Sequence, residues 1–285
     1  MSSAHPIDWT INRADPRSPG VEAWQRMTAL QRAQVDAMLP SKLGIEYGFL
    51  PQGDAHSESL FETRWALRRH YGQSGRRIYI AADMAVYYPG ERVFSPDVFA
   101  VLDIDRHERR SWHVNHEGKG LDLCIEWTWF GSAKKDAVKN LEKYARLGIQ
   151  EYFVCDVRRG ALRGYQLGLE AGTYGPVFPQ EGRLWSAVLQ LDLAIDRSRL
   201  RFYDGDEPVP FASELTDKLR AAERKAAQRA HVEAERARVE AERARAEEKR
   251  AKAAEERARV EAERSFQAER RLAEVLLELE ELKRR

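Results

Sequence analysis

Apolar residues recur along the first part of the chain with two different spacings. Over residues 23–39 and 57–71 they lie near helical spacing, which predicts one helix in each segment. Short apolar runs with the character of strands follow at 77–81, 84–88, 98–104 and 121–129. Turn sequences such as Pro89-Gly90 separate some of these runs. The pattern therefore predicts helices first and strands after them.

The centre of the chain predicts a strand–helix–strand unit. Residues 133–147 have a helical pattern that Gly148 ends, because glycine readily adopts the left-handed backbone found after a helix. The runs 121–129 and 151–157 flank this helix, and such a unit favours parallel strands joined by a right-handed crossover. Further strand-like runs lie at 162–169, 185–194 and 200–203. Together these patterns predict an α/β core with antiparallel additions.

From residue 212 onward the chain has a different composition. Its 74 residues hold 20 Lys or Arg, 18 Asp or Glu and a single aromatic residue, Phe266. Such a sequence cannot bury enough apolar surface to form a globule. The heptad VEAERAR at 232–238 is repeated at 239–245, so we expect one long charged helix with Ser213 or Asp217 capping its start.

The last turns of this helix carry an apolar seam. It is formed by Leu272, Val275, Leu276, Leu279 and Leu282. The seam favours a coiled coil that makes the protein a homo-oligomer, and the alternative is a solvated single helix without a partner. The chain thus divides into an N-terminal extension with one helix at 1–42, an α/β domain at 43–211 and a charged coiled coil at 212–285.

Composition and charge exclude several classes of protein. The formal net charge is +1, so any nucleic-acid site has to be local. No apolar run reaches the roughly 18 residues of a membrane span, and the first residues lack the pattern of a secretory signal. Two cysteines rule out a disulfide scaffold. We expect a soluble cytoplasmic protein with no membrane partner.

Two acidic residues are the candidates for chemistry. Asp97 follows Pro96 at the start of the strand 98–104, and Glu126 lies inside the apolar run 121–129. A buried carboxylate is costly unless a donor or a cation compensates it, and Mg²⁺ prefers carboxylate oxygens. Two carboxylates, a metal ion and a lysine are what phosphodiester hydrolysis needs. The plainer alternatives are a turn residue for Asp97 and a water-facing acid for Glu126.

A polar insertion, DRHERRSWHVNHEGKG at 105–120, separates the two acidic strands. It carries four cationic residues, Arg106, Arg109, Arg110 and Lys119. We expect these side chains to form a basic loop that holds nucleic-acid phosphates. Its three histidines lack the fourth ligand and the tight geometry that a zinc site needs.

Four stretches of the chain resemble the Uma2 family of bacterial proteins. They are SPDVFAVLD at 95–103, LDLCIEW at 121–127, KKDAVKNLEKYARLGIQEYFVCD at 134–156 and LRFYDG at 200–205. The resemblance runs from about residue 43 to residue 210 and implies a restriction-endonuclease-like fold of the PD-(D/E)XK type, a mixed sheet flanked by helices. It also implies that Asp97 and Glu126 bind Mg²⁺ or Mn²⁺, and that the partner is DNA.

The position of the catalytic lysine departs from the family pattern. Thr128 stands two residues after the second acid, where a lysine is usual. Asn140 stands at the helix position from which the family commonly draws its lysine. We expect Lys139, about 100° around the helix from Asn140, to take this role first, and Lys135 second. Lys143 is about 60° away from Asn140 but most of a turn further along the helix.

His56 and Glu58 match a region where the family often has a histidine and an acid. By this resemblance Glu58 would complete the metal site, and the alternative is an acid matched to the helix dipole. The leading hypothesis is a Mg²⁺-dependent DNA endonuclease that hydrolyses phosphodiester bonds. The alternative is a catalytically weakened nucleic-acid-binding or coiled-coil assembly protein, which Thr128 and Asn140 favour.

Overall fold

A computed structural model of the chain describes residues 9–41, 43, 53–128, 133–168 and 172–284, without the side chains of 133–137 and 277–284. The described chain forms two compact units, residues 1–215 and residues 216–285. The first unit holds all the strands that the structure describes, and the second is entirely helical.

Six α-helices are described. They are α1 (Val21–Arg26), α2 (Ala29–Met38), α3 (Asp54–Ser74), α4 (Val114–Glu117), α5 (Ala133–Arg146) and α6 (Ala212–Arg284). The single helix expected over residues 23–39 is wrong, because Thr28 starts a separate helix. Its hydroxyl accepts from the Gln31 backbone, and the Gln31 side chain accepts in return from the Thr28 N–H, which is a capping box. The helix expected over 57–71 is confirmed within α3.

Twelve strands follow one another along the described first unit. They are β1 (Ile78–Ala82), β2 (Val86–Tyr87), β3 (Val98–Leu102), β4 (Trp112–His113), β5 (Leu123–Trp127), β6 (Glu151–Asp156), β7 (Ala161–Leu167), β8 (Tyr174–Val177), β9 (Leu184–Ser186), β10 (Leu191–Asp196), β11 (Arg199–Asp204) and β12 (Glu207–Pro208). The main sheet has the order β1-β3-β5-β6-β7-β8, and a second sheet has the order β12-β11-β10-β9. The strand expected over 185–194 is wrong, because the chain turns between β9 and β10 and pairs them antiparallel.

The predicted strand–helix–strand unit is confirmed. Strands β5 and β6 are parallel neighbours, whereas all other pairings in the main sheet are antiparallel. Helix α5 connects β5 to β6 and ends before Gly148, whose φ of +74° is the left-handed conformation expected there. The α/β core with antiparallel additions is therefore present as a mixed sheet.

Side chains of β5 alternate between two separate apolar cores. Leu123, Ile125 and Trp127 belong to the core shared with α3 and the second sheet. Cys124 belongs to the other core, which includes Tyr144 of α5. Because alternate residues of a strand point to opposite faces, Glu126 shares the face of Cys124. This alternation sends the candidate acid toward α5.

The N-terminal extension is part of the first unit. A third apolar cluster packs Trp24, Val35 and Leu39 of the extension against Tyr87 and Val93. Buried apolar contacts thus hold the extension against the rest of the first unit, so the extension folds as part of that unit.

Helix α6 begins at Ala212, as expected, but is capped differently. Two oxygens of Glu62 in α3 accept from the backbone N–H groups of Ala212 and Ser213. The expected capping by Ser213 or Asp217 is wrong in this respect, because a carboxylate from another helix already satisfies these donors and matches the positive end of the helix dipole.

The second unit is a helix whose described side chains are exposed. Its larger apolar residues are at least two-fifths exposed, namely Leu219, Val232, Val239, Val260, Phe266, Leu272, Val275 and Leu276. Ion pairs along its surface include Lys252 with Glu248 at 2.7 Å. Leu279 and Leu282 of the predicted seam lie outside the residues with described side chains. Within the described part of the chain, no helix has both the length and the apolar character needed to cross a membrane.

Candidate active site

The fold brings Asp97 and Glu126 together. Strands β3 and β5 are antiparallel with Val98 opposite Ile125, so Asp97 and Glu126 lie on neighbouring strands at the same level. The Asp97 N–H donates to Oε2 of Glu126 at 3.4 Å, and the Trp127 N–H donates to Oδ2 of Asp97 at 2.7 Å. Backbone donors of each strand therefore fix the acid of the other strand.

The carboxyl group of Glu126 is poorly compensated by its surroundings. Asp97 is only 9% exposed and Glu126 is partly buried. Burial raises the pKa of Glu126 well above its ordinary value, and the neighbouring Asp97 carboxylate raises it further. A hydroxyl and a backbone N–H donated to Glu126 oppose this rise without cancelling it. The pair therefore favours either a bound proton or a cation.

Helix α3 contributes His56 to this acid pair. Its Nε2 lies 3.2 Å from Oδ1 of Asp97, and the side chain is buried. Glu58, which the family resemblance places in the metal site, is exposed and lines a cavity with Ser59 and Glu62 instead. No described contact joins Glu58 to either acid, so its role in metal binding stays a prediction.

Tyr144 of α5 completes the immediate surroundings of Glu126. Its hydroxyl donates to Oε1 of Glu126 at 2.6 Å, and burial raises the pKa of the phenol well above its ordinary value. The ring packs edge-on against Tyr152 at 5.0 Å and lies 5.7 Å from Phe94. Sequence reasoning missed this role, although Tyr144 lies in the stretch 134–156 that resembles the family.

Of the two candidate lysines with described side chains, Lys143 interacts with the charge of Glu126. Its Nζ lies 3.6 Å from the ring centroid of Phe94, and burial lowers the pKa of its amine to about 8 although Cys124 and Glu126 oppose this. Lys139 is exposed. Asn140 hydrogen-bonds to Tyr152. The side chain of Lys135 lies outside the described residues.

Most of the basic insertion is engaged within the protein. Arg106 donates to the carbonyl groups of Tyr71, Arg76 and Ile78. Arg109 forms a bidentate pair with Glu117, at 2.7 and 3.0 Å.

The two remaining cations of the insertion differ from each other. Lys119 donates to the Leu102 carbonyl at 2.7 Å and pairs with Asp122 at 3.2 Å. Arg110 is exposed and makes no hydrogen bond or ion pair among the described residues. Phosphate binding by the four cations stays a prediction, and Arg110 has the most donors available for it.

The histidines of the insertion have other partners. His113 Nδ1 lies 2.7 Å from Oδ1 of Asp36, and His116 Nδ1 lies 3.2 Å from Oδ2 of the same residue. Within the described ranges, no group of three or more His, Cys, Asp and Glu side chains is placed to hold a metal ion.

Comparison with known proteins gives one family. The Uma2 family model, described as "Putative restriction endonuclease", matches residues 48–198, more than half of the chain. A solved structure described as a putative nuclease belonging to DUF820, from Anabaena variabilis ATCC 29413, is 17% identical with a TM-score of 0.39. That match covers 52% of this chain and 80% of the other. The search of curated proteins gave no match.

Proposed function

This chain belongs to the Uma2 family of putative restriction endonucleases, and we propose that it is a Mg²⁺-dependent endonuclease that hydrolyses phosphodiester bonds of DNA. The observation that carries the proposal is the pairing of Asp97 with Glu126 on neighbouring strands. Two carboxylates fixed side by side are suited to a hard divalent cation.

The donor set fits Mg²⁺ or Mn²⁺. Mg²⁺ is usually bound by one or two carboxylates and keeps several waters, so two acids are sufficient. The rise in the pKa of Glu126 beside Asp97 supports this fit, because a cation would offset the repulsion that causes it. When bound, the ion would polarise the phosphate and lower the pKa of a water.

The surrounding residues have separate roles in this proposal. His56 holds Asp97, and Tyr144 holds Glu126, so both acids keep one orientation when no ion is bound. Lys143 supplies a positive charge beside the acids, which stabilises negative charge that develops on the phosphate. The sequence favoured Lys139 and Lys135, whereas the burial of Lys143 and its proximity to Glu126 favour Lys143.

The alternative function is a nucleic-acid-binding or assembly protein with a weakened site. Thr128 and Asn140 occupy positions where the family has lysine, which favours this alternative. Nicking of supercoiled plasmid by the purified full chain, with Mg²⁺ or with EDTA, separates the two. We expect nicking only with Mg²⁺ and none from Asp97→Asn. Equal nicking by Asp97→Asn would point to a contaminating nuclease and contradict the proposal.

The second unit supports a proposal about assembly. Residues 212–285 leave apolar side chains such as Leu272 and Leu276 exposed on a single helix. We propose that two or more copies of the chain pair through this helix and bury that seam. Location in the cytoplasm remains a prediction from composition.

A further inference from the structure

A cavity lies between α3 and the face of β5 that is opposite Glu126. Its volume is about 240 Å³. The walls come from one face of α3, from Trp127 at the end of β5, from the turn between β10 and β11 and the start of β11, and from Phe211 just before α6. Apart from Glu58, whose role in metal binding stays a prediction, these side chains have no part in the candidate active site.

Trp127 connects the cavity to the acid pair. Its backbone N–H donates to Oδ2 of Asp97 at 2.7 Å, while its side chain is part of the cavity wall. The indole is 6% exposed, and its Nε1 has no hydrogen-bond partner among the residues that the structure describes. A buried donor without an acceptor is destabilising.

The cavity combines an apolar wall with separate charges. Trp127, Leu200 and Phe211 are buried apolar or aromatic side chains. Arg197 and Arg199 are exposed and make no ion pair within the described part of the chain, although Glu58 lines the same cavity. Unlike Glu58, Glu62 already accepts hydrogen bonds through its carboxylate, from backbone N–H groups of α6.

These features narrow the class of ligand. An apolar wall with a few placed polar groups is typical of small-molecule sites, and a volume near 240 Å³ is below the range of about 300–1,000 Å³ for larger ligands. A planar heterocycle with acceptors for the arginines and N–H donors for Glu58 matches this lining. Arginine side chains next to it would also meet the phosphates of a nucleotide.

We propose that this cavity holds one unpaired nucleobase of the nucleic-acid substrate, next to the phosphate at Asp97 and Glu126. The inference deepens the proposed function and depends on it for the identity of the substrate. Enzymes that work on bases in such pockets act on single strands or take the base out of the duplex. The protein then prefers single-stranded to duplex DNA, because a paired base cannot enter the cavity.

The test is binding without catalysis. A short fluorescein-labelled single strand, and the duplex of the same sequence, are titrated with the full chain in EDTA, and fluorescence anisotropy is measured. Ala55→Trp fills the cavity from an exposed position of α3 and keeps every charge. Ala37→Trp, on the exposed side of α2 and outside the cavity, is the matched control.

We expect Ala55→Trp to weaken binding of the single strand about 10-fold or more and to leave duplex binding unchanged. The control should bind both as the wild type does. Arg199→Ala, compared with Arg163→Ala on β7, checks the same site if Ala55→Trp disturbs folding. Equal binding of the single strand by Ala55→Trp and Ala37→Trp, or no preference of the wild type for the single strand, overturns the inference. Binding is measured in EDTA without any cleavage step, so a failure of cleavage would leave this result standing.

Discussion

The hydroxyl of Tyr144 donates a hydrogen bond of 2.6 Å to Oε1 of Glu126. The bond joins helix α5 to strand β5, and it points one oxygen of the acid toward the helix. The other oxygen, Oε2, accepts from the Asp97 backbone at 3.4 Å. Glu126 is thus oriented from both sides before any ion or substrate is present, which lowers the cost of forming a metal site.

Tyr144→Phe tests this orienting role. The change removes the hydroxyl and keeps the ring packing against Tyr152 and Phe94. We expect weaker apparent Mg²⁺ affinity in the nicking assay, by about 10-fold or more, as when partners of metal ligands are removed. Stability should change by only about 1 kcal/mol. Tyr165→Phe is the control, and equal Mg²⁺ dependence of the two variants would contradict the role.

A ranking of two lysines tests the assignment of the cationic group. Lys143→Ala should lose most of the cleavage activity, whereas Lys139→Ala should lose little, because only Lys143 is partly buried beside Glu126. Initial rates of plasmid nicking at saturating Mg²⁺ give the comparison. The opposite order would restore the choice made from the sequence. Negligible effects of both substitutions would move the role to Lys135 or favour the weakened-site alternative.

The candidate active site also shows what the sequence could and could not establish. The pairing of Asp97 with Glu126 was predictable, because both flank or occupy apolar strands and the family resemblance assigns them together. Which lysine interacts with Glu126 was not predictable, because sequence spacing fixes the angle of a side chain around α5 but not the height at which α5 crosses β5. Tyr144 meets Glu126 near the end of α5, so Lys143 is at the level of the acids and Lys139 is about a turn away.

Other differences between the expectations from the sequence and the structure also come from tertiary contacts. Arg106 and Arg109 looked like free cations, but their acceptors come from backbone carbonyls and from Glu117. The start of α6 was located from composition, whereas its cap comes from Glu62, far away in the sequence. Patterns along the chain therefore located the elements, and the partners of charged groups depended on their packing.

Glu151 gives a prediction about pH. It is 2% exposed, and it accepts from the Ser186 hydroxyl and from the Ala187 N–H at 2.7 Å, linking the two sheets. Burial raises the pKa of this carboxyl in the folded state. Just above the ordinary carboxyl pKa, the folded chain therefore binds more protons than the unfolded chain. The contribution of Glu151 to the stability of the folded protein falls as the pH rises through that window.

The measurement is the free energy of unfolding of the wild type and of Glu151→Gln across that range. Gln imitates the neutral acid, so the two proteins should be similar at acid pH. The variant should become more stable relative to the wild type as the pH rises toward neutral. A difference in stability that is constant with pH would show that Glu151 does not titrate in this range. A variant that becomes less stable relative to the wild type would show that folding lowers the pKa of Glu151 and does not raise it.

The oligomeric state tests the role of the helical tail. We expect the full chain to be a dimer or higher oligomer and residues 1–215 to be a folded monomer by size exclusion with light scattering. Truncation after residue 215 keeps the Ala212 and Ser213 donors that Glu62 binds. Leu272→Lys with Leu276→Lys should separate the chains almost as completely, because these residues form much of the exposed seam.

Gln267→Lys with Ala273→Lys adds the same charge away from the seam and should leave the oligomer intact. A truncated protein that still dimerises would place the interface within residues 1–215. In that case the tail would serve a different partner.

The most direct test of the metal site is the thermal midpoint of unfolding as a function of Mn²⁺ concentration, for the wild type and for Glu126→Gln. An ion that binds only the folded state raises the midpoint. We predict that the wild type rises with Mn²⁺, while Glu126→Gln starts at the same midpoint or higher, since it lacks the poorly compensated charge, and does not respond. An equal rise in both proteins, no rise in the wild type, or a variant that unfolds several degrees earlier without metal would contradict a metal site at Asp97 and Glu126.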